Sequence, residues 1–238
     1  MARFKMLVKR QLQPELMDAP GLNSIEHAQA LCGLRRLNIV SRAHHQLWRA
    51  IVEHTSVKSG GQLRILDVAS GGGDIAMGIW TLARKGGVKL QILGLDSSPT
   101  ACVEASQRCQ CAGKSIAFSC TDVTKESLPR QFDVVMSSLF LHHLAWEEAA
   151  ALLRNMSTAG KLLIVSDLRR SAFGYAVAQI ACRLVTRSRI VRHDGPRSVA
   201  NAFTLSEMGE LCHAAGLTGA IVRRKWPWRM IVIRCGAQ

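Results

Sequence analysis

The amino-acid sequence predicts an α/β fold: a seven-stranded, mostly parallel sheet that ends in an antiparallel hairpin. From Arg64 onward, short β-branched runs alternate with stretches whose apolar residues recur at helical spacing, which is typical of βαβ units. The last two strands are joined only by residues 225–228, too short a link for a crossover helix, so they must pair antiparallel. With 48% hydrophobic and 20% charged residues, the 238-residue chain has the composition of a globular domain.

The predicted elements follow this alternation along the chain. Seven strands are expected at residues 63–68, 88–95, 115–119, 132–137, 161–166, 218–224 and 229–234. Helices are expected between them at residues 74–84, 99–111, 145–156 and 206–215. Two further segments, residues 1–60 and 168–203, lie outside this pattern.

These two segments are predicted to form helical lids. Residues 1–60 offer Asn23 or Ser24 as an N-cap, and a second amphipathic stretch runs from Leu34 to Leu47. Residues 168–203 combine an apolar helix with an arginine-rich turn. Open α/β sheets bind ligands beyond the carboxyl ends of their strands, and this insertion begins at one such end. We therefore expect an N-terminal lid segment at 1–60 and a main domain at 61–238, with residues 168–203 contributing to the lid.

The charge of the chain is strongly positive and unevenly placed. The formal net charge is +14, and residues 168–238 hold twelve Arg or Lys against three acidic residues. Such a balance favours an anionic partner: nucleic acid, an acidic membrane surface or a negatively charged substrate. A solvated basic surface without any partner is the alternative.

The eight cysteines are scattered without a CxxC pair, which indicates reduced thiols rather than disulfides. Cys109 and Cys111 form a CxC pair, but no neighbouring residue completes a ligand set, so no metal is expected. Basic residues such as Arg3 and Lys5 interrupt the apolar N-terminus, and no apolar run has transmembrane length. The sequence therefore predicts a cytoplasmic protein.

A glycine-rich motif, ILDVASGGGDIA at residues 65–76, joins the first strand to a helix. Gly71, Gly72 and Gly73 permit positive φ and let a ligand approach the backbone. Gly71, Gly73 and Ala76 also satisfy the GxGxxA pattern of dinucleotide-binding proteins, so the motif alone does not identify the ligand.

Three acids stand at the ends of three successive strands. Asp67 precedes the glycine turn, where a carboxylate repels a pyrophosphate but suits a cationic ligand. Asp96 closes the second strand, a position from which an acid accepts hydrogen bonds from ribose hydroxyls, and Asp122 follows the third. Each acid also has a structural interpretation: Asp67 orders the glycine loop, Asp96 caps the helix near Pro99, and Asp122 caps a turn.

Together with the terminal hairpin, this series resembles class I S-adenosylmethionine-dependent methyltransferases over residues 62–238. The resemblance implies a Rossmann-like sheet and S-adenosyl-L-methionine as cofactor. Ala69 departs from the family, in which glycine is common at that position. The resemblance implies that the cofactor is bound by Asp67, Ala69, Gly71, Gly73, Asp96, Ser97, Asp122, Val123 and Ser138.

Other stretches of the sequence resemble particular groups within the methyltransferases. FDVVMSSLFLHHL at 132–144 and KLLIVSDLRRS at 161–171 are similar to the ubiquinone and menaquinone biosynthesis methyltransferases. QPELMDAP, ALCGLRRLN and VRHDGPRSVANAF resemble a bacterial subgroup found beside type III polyketide synthases. These stretches imply a small phenolic, quinone-like or polyketide-derived lipophilic acceptor, methylated on oxygen or carbon.

His142 and His143 are the candidate catalytic residues. They follow the fourth strand, and removing a phenol's proton raises its reactivity at oxygen or at the ring carbons. One histidine is therefore expected to be the base, although the pair also has an interpretation as a packing motif. Asp167 either binds substrate or starts the lid.

Basic residues of the lid could hold a carboxylate, a phenolate or lipid headgroups, or simply form the polar face of a helix. Beside an apolar helix, they predict an acidic amphipathic substrate and peripheral membrane contact. These residues are Arg169, Arg170, Arg183, Arg187, Arg189, Arg192, His193 and Arg197.

Alternative functions are less well supported. An RNA methyltransferase fits the isoelectric point of about 10.1, but the chain has 5% aromatic residues, one tyrosine (Tyr175) and no stacking set, so nucleic acid is not the expected partner. A non-catalytic cofactor-binding protein conflicts with the intact glycine motif and acids. Asp67 and the hairpin disfavour a dehydrogenase. The oligomeric state stays open.

Overall fold

A computed structural model of the protein describes residues 7–19 and 21–236. Arg3 and Lys5, which entered the prediction on localisation, lie outside the described residues. Within those two ranges, no helix has the length and apolar character needed to cross a membrane.

All seven predicted strands are present in one sheet, with ends within three residues of the predicted ones. The strands are β1 (Gln62–Val68), β2 (Lys89–Asp96), β3 (Ala117–Cys120), β4 (Phe132–Ser138), β5 (Gly160–Leu168), β6 (Ile221–Lys225) and β7 (Arg229–Cys235). Their order is β3-β2-β1-β4-β5-β7-β6, and β7 is antiparallel to both of its neighbours. The predicted fold is therefore confirmed, including the terminal hairpin.

Eight α-helices surround this sheet in the described chain. They are α1 (Ser24–Val40), α2 (Ala43–His54), α3 (Asp74–Lys85), α4 (Pro99–Cys111), α5 (Trp146–Ala159), α6 (Ala172–Val185), α7 (Arg189–Asn201) and α8 (Leu205–Ala214). Asn23 is the N-cap of α1, as predicted, because its side chain accepts a hydrogen bond from the Ile25 amide.

Two predicted segments differ from the structure. The stretch from Leu34 to Leu47 is not one helix, because Arg42 adopts a left-handed conformation (φ 51°) that separates α1 from α2. The arginine-rich turn is in fact the helix α7. Gly195 and Pro196 are residues that favour turns, but apolar residues at helical spacing pack the helix inward, among them Ile190, Val191 and Val199.

Three apolar clusters hold these layers together. One face of the sheet packs against α5 and α8, and the other packs against α2 and α3. The third cluster joins α1 to the helices of the insertion through Ala30, Cys182, Ile190 and Val191. The two segments predicted as lids are thus in direct contact above the carboxyl ends of the parallel strands. All eight cysteines are free thiols.

Candidate active site

The glycine loop between β1 and α3 has a strongly bent backbone. The left-handed region is occupied by Ala69, Gly71 and Gly73, with φ values of 58°, 52° and 70°. Gly72 does not have a positive φ. A Cβ on Gly73 would lie 2.5 Å from the Phe118 ring, so only glycine fits there. The loop therefore needs Gly73 for packing as well as for conformation.

Asp67 is a buried carboxylate beside this loop. Asp67 is only 1% exposed, and its Oδ2 has no hydrogen-bond partner among the described residues. Burial, together with the charges of Asp74 and Asp96, raises the pKa of Asp67 well above its usual range. A cationic ligand would relieve this unfavourable situation, and the site therefore fits the positively charged end of S-adenosylmethionine.

Asp96 supports the loop directly. Its Oδ2 accepts a hydrogen bond of 2.7 Å from the Gly71 amide, and its Oδ1 accepts one of 3.0 Å from the Ser98 amide. The helix α4 is capped by Ser98, whose hydroxyl oxygen accepts from the Ala101 amide. The loop-ordering role considered for Asp67 therefore belongs to Asp96, and the capping role considered for Asp96 belongs to Ser98.

Asp122 lies in the turn after β3. Its Oδ1 accepts hydrogen bonds from the amide and the hydroxyl of Thr124, and its Oδ2 lies 2.8 Å from Lys125 Nζ. The hydrogen bonds from Lys125 and Thr124 hold the pKa of Asp122 at about 2. The turn-capping interpretation of Asp122 is therefore realised, while the residue also faces the adjoining cavity.

That cavity, which we call the cofactor cavity, has a volume of about 690 Å³. Eight of the nine residues predicted to bind cofactor line it, and Gly73 is the exception. Ser138, at the end of β4, has a buried hydroxyl without a partner among the described residues. The sequence prediction thus located one connected cavity at the carboxyl ends of β1, β2 and β4.

A second cavity of about 240 Å³, which we call the acceptor cavity, lies between α1, α6, α7 and the turn before β7. Its wall is mostly apolar and includes Val177, Ala181, Ile190 and Trp228. The two cavities share wall residues, and these are Met17, Leu34, Asn38, Leu139 and His143. A ligand in one cavity therefore lies next to a ligand in the other.

Of the two candidate catalytic histidines, His143 lies at this junction and His142 lines the acceptor cavity beside it. His142 is buried, and its Nδ1 lies 2.6 Å from Asp167 Oδ1, while its amide donates to Asp167 Oδ2. His143 Nδ1 lies 2.7 Å from Asp18 Oδ2. The Nε2 atoms of the two rings lie 3.8 and 3.9 Å from the Glu15 carboxylate oxygens. Each ring is thus oriented by a carboxylate on its Nδ1 side.

Carboxylates also set the charge of this cluster. Burial acts to lower the pKa of His143, but its hydrogen bond to the Asp18 carboxylate and the charges of Glu15, Asp18 and Asp167 raise it to about 9. Burial acts to raise the pKa of Asp167, but His142 holds it below its usual value. His143 is therefore an imidazolium at neutral pH.

Sequence reasoning missed Glu15 and Asp18, which reach the histidines from more than a hundred residues away. Glu15 is held by Ser198 of α7, whose hydroxyl donates to its Oε1 at 2.8 Å. The only sequence signal was a pair of acids in the segment QPELMDAP. Asp167 orients His142 and is not simply the start of the lid.

Several basic residues of the insertion have structural partners. Arg170 is buried, donates to the Ala202 carbonyl at 2.7 Å and pairs with Glu207. Arg192 and Arg197 donate to the carbonyls of Thr186 and Pro14. His193 Nδ1 lies 2.7 Å from Asp194, which follows it directly in the chain. Arg183, Arg187 and Arg189 are exposed.

Residues 65–161 match the family model of a methyltransferase domain. A comparison with curated protein sequences finds no match. Among solved structures, the plantazolicin methyltransferase in complex with S-adenosylhomocysteine is 15% identical, with 98% of this chain and 97% of that chain covered and a TM-score of 0.67. The chain therefore shares its fold with this methyltransferase over nearly its whole length.

Two further structures are similar. The magnesium protoporphyrin IX methyltransferase from Synechocystis PCC 6803 with bound S-adenosylmethionine is 15% identical, with 93% and 88% of the two chains covered and a TM-score of 0.55. An O-methyltransferase from neocarzinostatin biosynthesis, in complex with S-adenosylmethionine and 2-hydroxy-5-methyl naphthoic acid, is 22% identical, with 73% of this chain covered and a TM-score of 0.53. The chain spans about half the length of that enzyme, 49%.

Residues 65–161, less than half of the chain, match the methyltransferase-domain model, and the sheet has the Rossmann-like fold of the similar solved structures. The predicted enzyme class is thereby confirmed. The narrower resemblances, to quinone biosynthesis enzymes and to the subgroup beside polyketide synthases, stay predictions.

Proposed function

We propose that this protein is an S-adenosylmethionine-dependent methyltransferase that methylates a small lipophilic acceptor on oxygen or on an activated carbon. The observation that carries the proposal is the junction of the two cavities, where His143 and Leu139 belong to both walls. Methyl transfer requires the nucleophile, the methyl group and the sulfur to lie in line at close distance. Two adjoining cavities, one polar and one apolar, suit that requirement.

The cofactor cavity supplies complementary groups for each part of S-adenosylmethionine. Asp67 offers an unpaired carboxylate for the cationic end, and Asp96, which also lines the cavity, is assigned to the ribose hydroxyls. Asp122 and Val123 also line the cavity, and the adenine is proposed to lie beside them. When bound, the cofactor supplies an electrophilic methyl group on a sulfonium.

The two histidines have different roles in this proposal. His142, oriented by Asp167 through its Nδ1, is the base that takes the acceptor's proton on Nε2. His143, an imidazolium because of its raised pKa, holds the acceptor oxygen as it becomes an anion. A phenol has a pKa of about 10, so both roles favour the reactive phenolate.

The helices of the proposed lid line the acceptor cavity. Residues of α1, α6 and α7 form most of its wall, so the proposed lid assignment of residues 1–60 and 168–203 gives the acceptor an apolar environment. The apolar wall favours phenolic, quinone-like or polyketide-derived acceptors over nucleic acid.

The outer face of α6 is a proposed point of membrane contact. Phe173, Ile180 and Leu184 are 65%, 60% and 81% exposed, and Arg183 and Arg187 lie beside them. Apolar side chains next to arginines suit an anionic bilayer surface, from which a lipophilic acceptor would enter. Reversing both arginine charges is expected to abolish binding to anionic vesicles, and unchanged binding would contradict the idea.

The decisive experiment follows labelled methyl from S-adenosylmethionine into a host extract that is then divided into organic, RNA and protein fractions. We expect label in the organic fraction with the intact enzyme and none with Asp96→Ala. Label in RNA would overturn the proposed acceptor class. Full turnover by both His142→Ala and His143→Ala would remove the histidines from the mechanism.

A further inference from the structure

A buried arginine stands in the wall of the acceptor cavity. Arg229 is 4% exposed and begins β7, whose register places it opposite Leu168 at the end of β5. It is therefore on the acceptor side of the sheet, and it is not part of the wall of the cofactor cavity. The rest of the acceptor cavity is mostly apolar, so a charged side chain there needs an explanation.

The hydrogen bonds of Arg229 leave one of its two terminal nitrogens unpaired. Its Nη2 donates to Asn38 Oδ1 at 2.9 Å and to Ser41 Oγ at 3.2 Å, both neutral oxygens. Its Nη1 is buried and has no hydrogen-bond partner among the described residues. No carboxylate of the described chain lies within ion-pair distance of Arg229, whereas the buried Arg170 pairs with Glu207. Burial lowers the pKa of Arg229 to about 10, so it stays charged at neutral pH.

Burying a cation with no carboxylate in direct contact is unfavourable, because the more distant charges of Asp167 and Asp74 replace only part of the lost hydration. Asn38 and Ser41 fix the guanidinium so that it does not turn towards solvent, and this fixed position suits an incoming anion. We propose that Arg229 is an anion subsite of the acceptor cavity and that the acceptor is an aromatic acid, with a carboxylate at Arg229 and its hydroxyl at the histidines.

This inference rests on the proposed function for the identity of the cavity and adds the charge of its ligand. The apolar body of the acid lies among Val177, Ala181 and Trp228. A carboxylate is ionised at neutral pH, and a charge-assisted hydrogen bond to a desolvated guanidinium is stronger than one between neutral groups. Recognition of the acceptor is therefore assigned to Arg229, and its activation to the histidines.

The test compares two ligands that differ by one group: an alkylated salicylic acid and the alkylphenol that lacks its carboxyl group. Binding of each is measured calorimetrically with S-adenosylhomocysteine present. The wild-type protein is expected to bind the acid at least tenfold more tightly than the phenol. Arg229→Gln is expected to remove this preference, whereas Arg154→Gln, which changes an exposed arginine of α5 outside both cavities, is expected to keep it.

Binding of S-adenosylhomocysteine separates the possible failures. Because Arg229 is outside the cofactor cavity, unchanged cofactor-product binding by Arg229→Gln shows that the variant is folded. Arg229→Lys provides a second variant that keeps the charge and is expected to retain part of the preference. Equal binding of acid and phenol to the wild type, or a preserved preference in Arg229→Gln, would overturn the anion subsite. Failure of the wild type to bind S-adenosylhomocysteine would overturn the proposed function itself.

Discussion

Ala69 has a backbone conformation that its side chain disfavours. Its φ of 58° places the Cβ close to the following carbonyl oxygen, which costs an L-residue about 1–2 kcal/mol. Glycine avoids this clash but loses roughly 0.4–1 kcal/mol through the greater freedom of the unfolded chain. We therefore expect Ala69→Gly to raise the free energy of unfolding by up to about 1 kcal/mol, measured by denaturant titration. Ala151→Gly, in the exposed middle of α5, is the control and is expected to lower it by about 1 kcal/mol.

Asp67 is expected to lower the stability of the cofactor-free protein and to strengthen the binding of S-adenosylmethionine. Its folded-state pKa lies above its unfolded value, so the buried charge lowers stability at neutral pH, and this loss disappears as the pH falls below the unfolded value near 4. Asp67→Asn is therefore expected to stabilise the cofactor-free protein at pH 7 but not in acid, and to weaken S-adenosylmethionine binding at least tenfold. Thermal unfolding and calorimetry measure the two effects. A variant that is destabilised at pH 7, or that binds the cofactor normally, would contradict this role.

At the scale of elements, Arg170 ties the lid to the sheet. It follows β5, donates to the Ala202 carbonyl after α7 and pairs with Glu207, which also completes the capping box of α8 with Thr204. Arg170→Met leaves the Glu207 carboxylate and the carbonyl without a buried partner. We expect the free energy of unfolding to fall by about 3 kcal/mol. Arg183→Met, on the exposed face of α6, should change it by less than about 0.5 kcal/mol, and equal effects would show that Arg170 carries no special role.

The elements themselves were largely predictable, because their signals are local. The strands and the helix after the glycine turn follow from residue spacing, and Asn23 was recognisable as a cap. The helix α7 was not, because Gly195 and Pro196 are turn signals and its apolar face becomes evident only when α1 packs against it. Tertiary packing outweighed local preference in that segment.

At the scale of the whole molecule, the cofactor cavity was predictable and the acceptor cavity was not. Acids at strand ends meet at one edge of a parallel sheet, so Asp67 and Asp96 could be placed together from the sequence. Glu15 and Asp18 meet His143 only through the path of the N-terminal segment, and Arg229 bonds to a residue 191 positions away. No local pattern encodes such contacts.

The junction of the two cavities also predicts that their ligands interact. An aromatic acid held by Arg229 would lie next to the positive charge of the cofactor, because both cavities share His143 and Leu139. Attraction between opposite charges is strong where water is excluded. We expect an alkylated salicylic acid to bind about fivefold or more tightly beside a cofactor analogue with an ammonium group in place of the sulfonium than beside neutral S-adenosylhomocysteine.

The neutral alkylphenol is the control for this coupling, since its affinity should depend little on the charge of the bound analogue. Calorimetry with each analogue present measures both ligands on the same protein. Coupling is reciprocal, so the acid should tighten the ammonium analogue by the same factor. An equal change for acid and phenol would point to a shape effect of the analogue, and no change for either would show that the two ligands do not meet at His143.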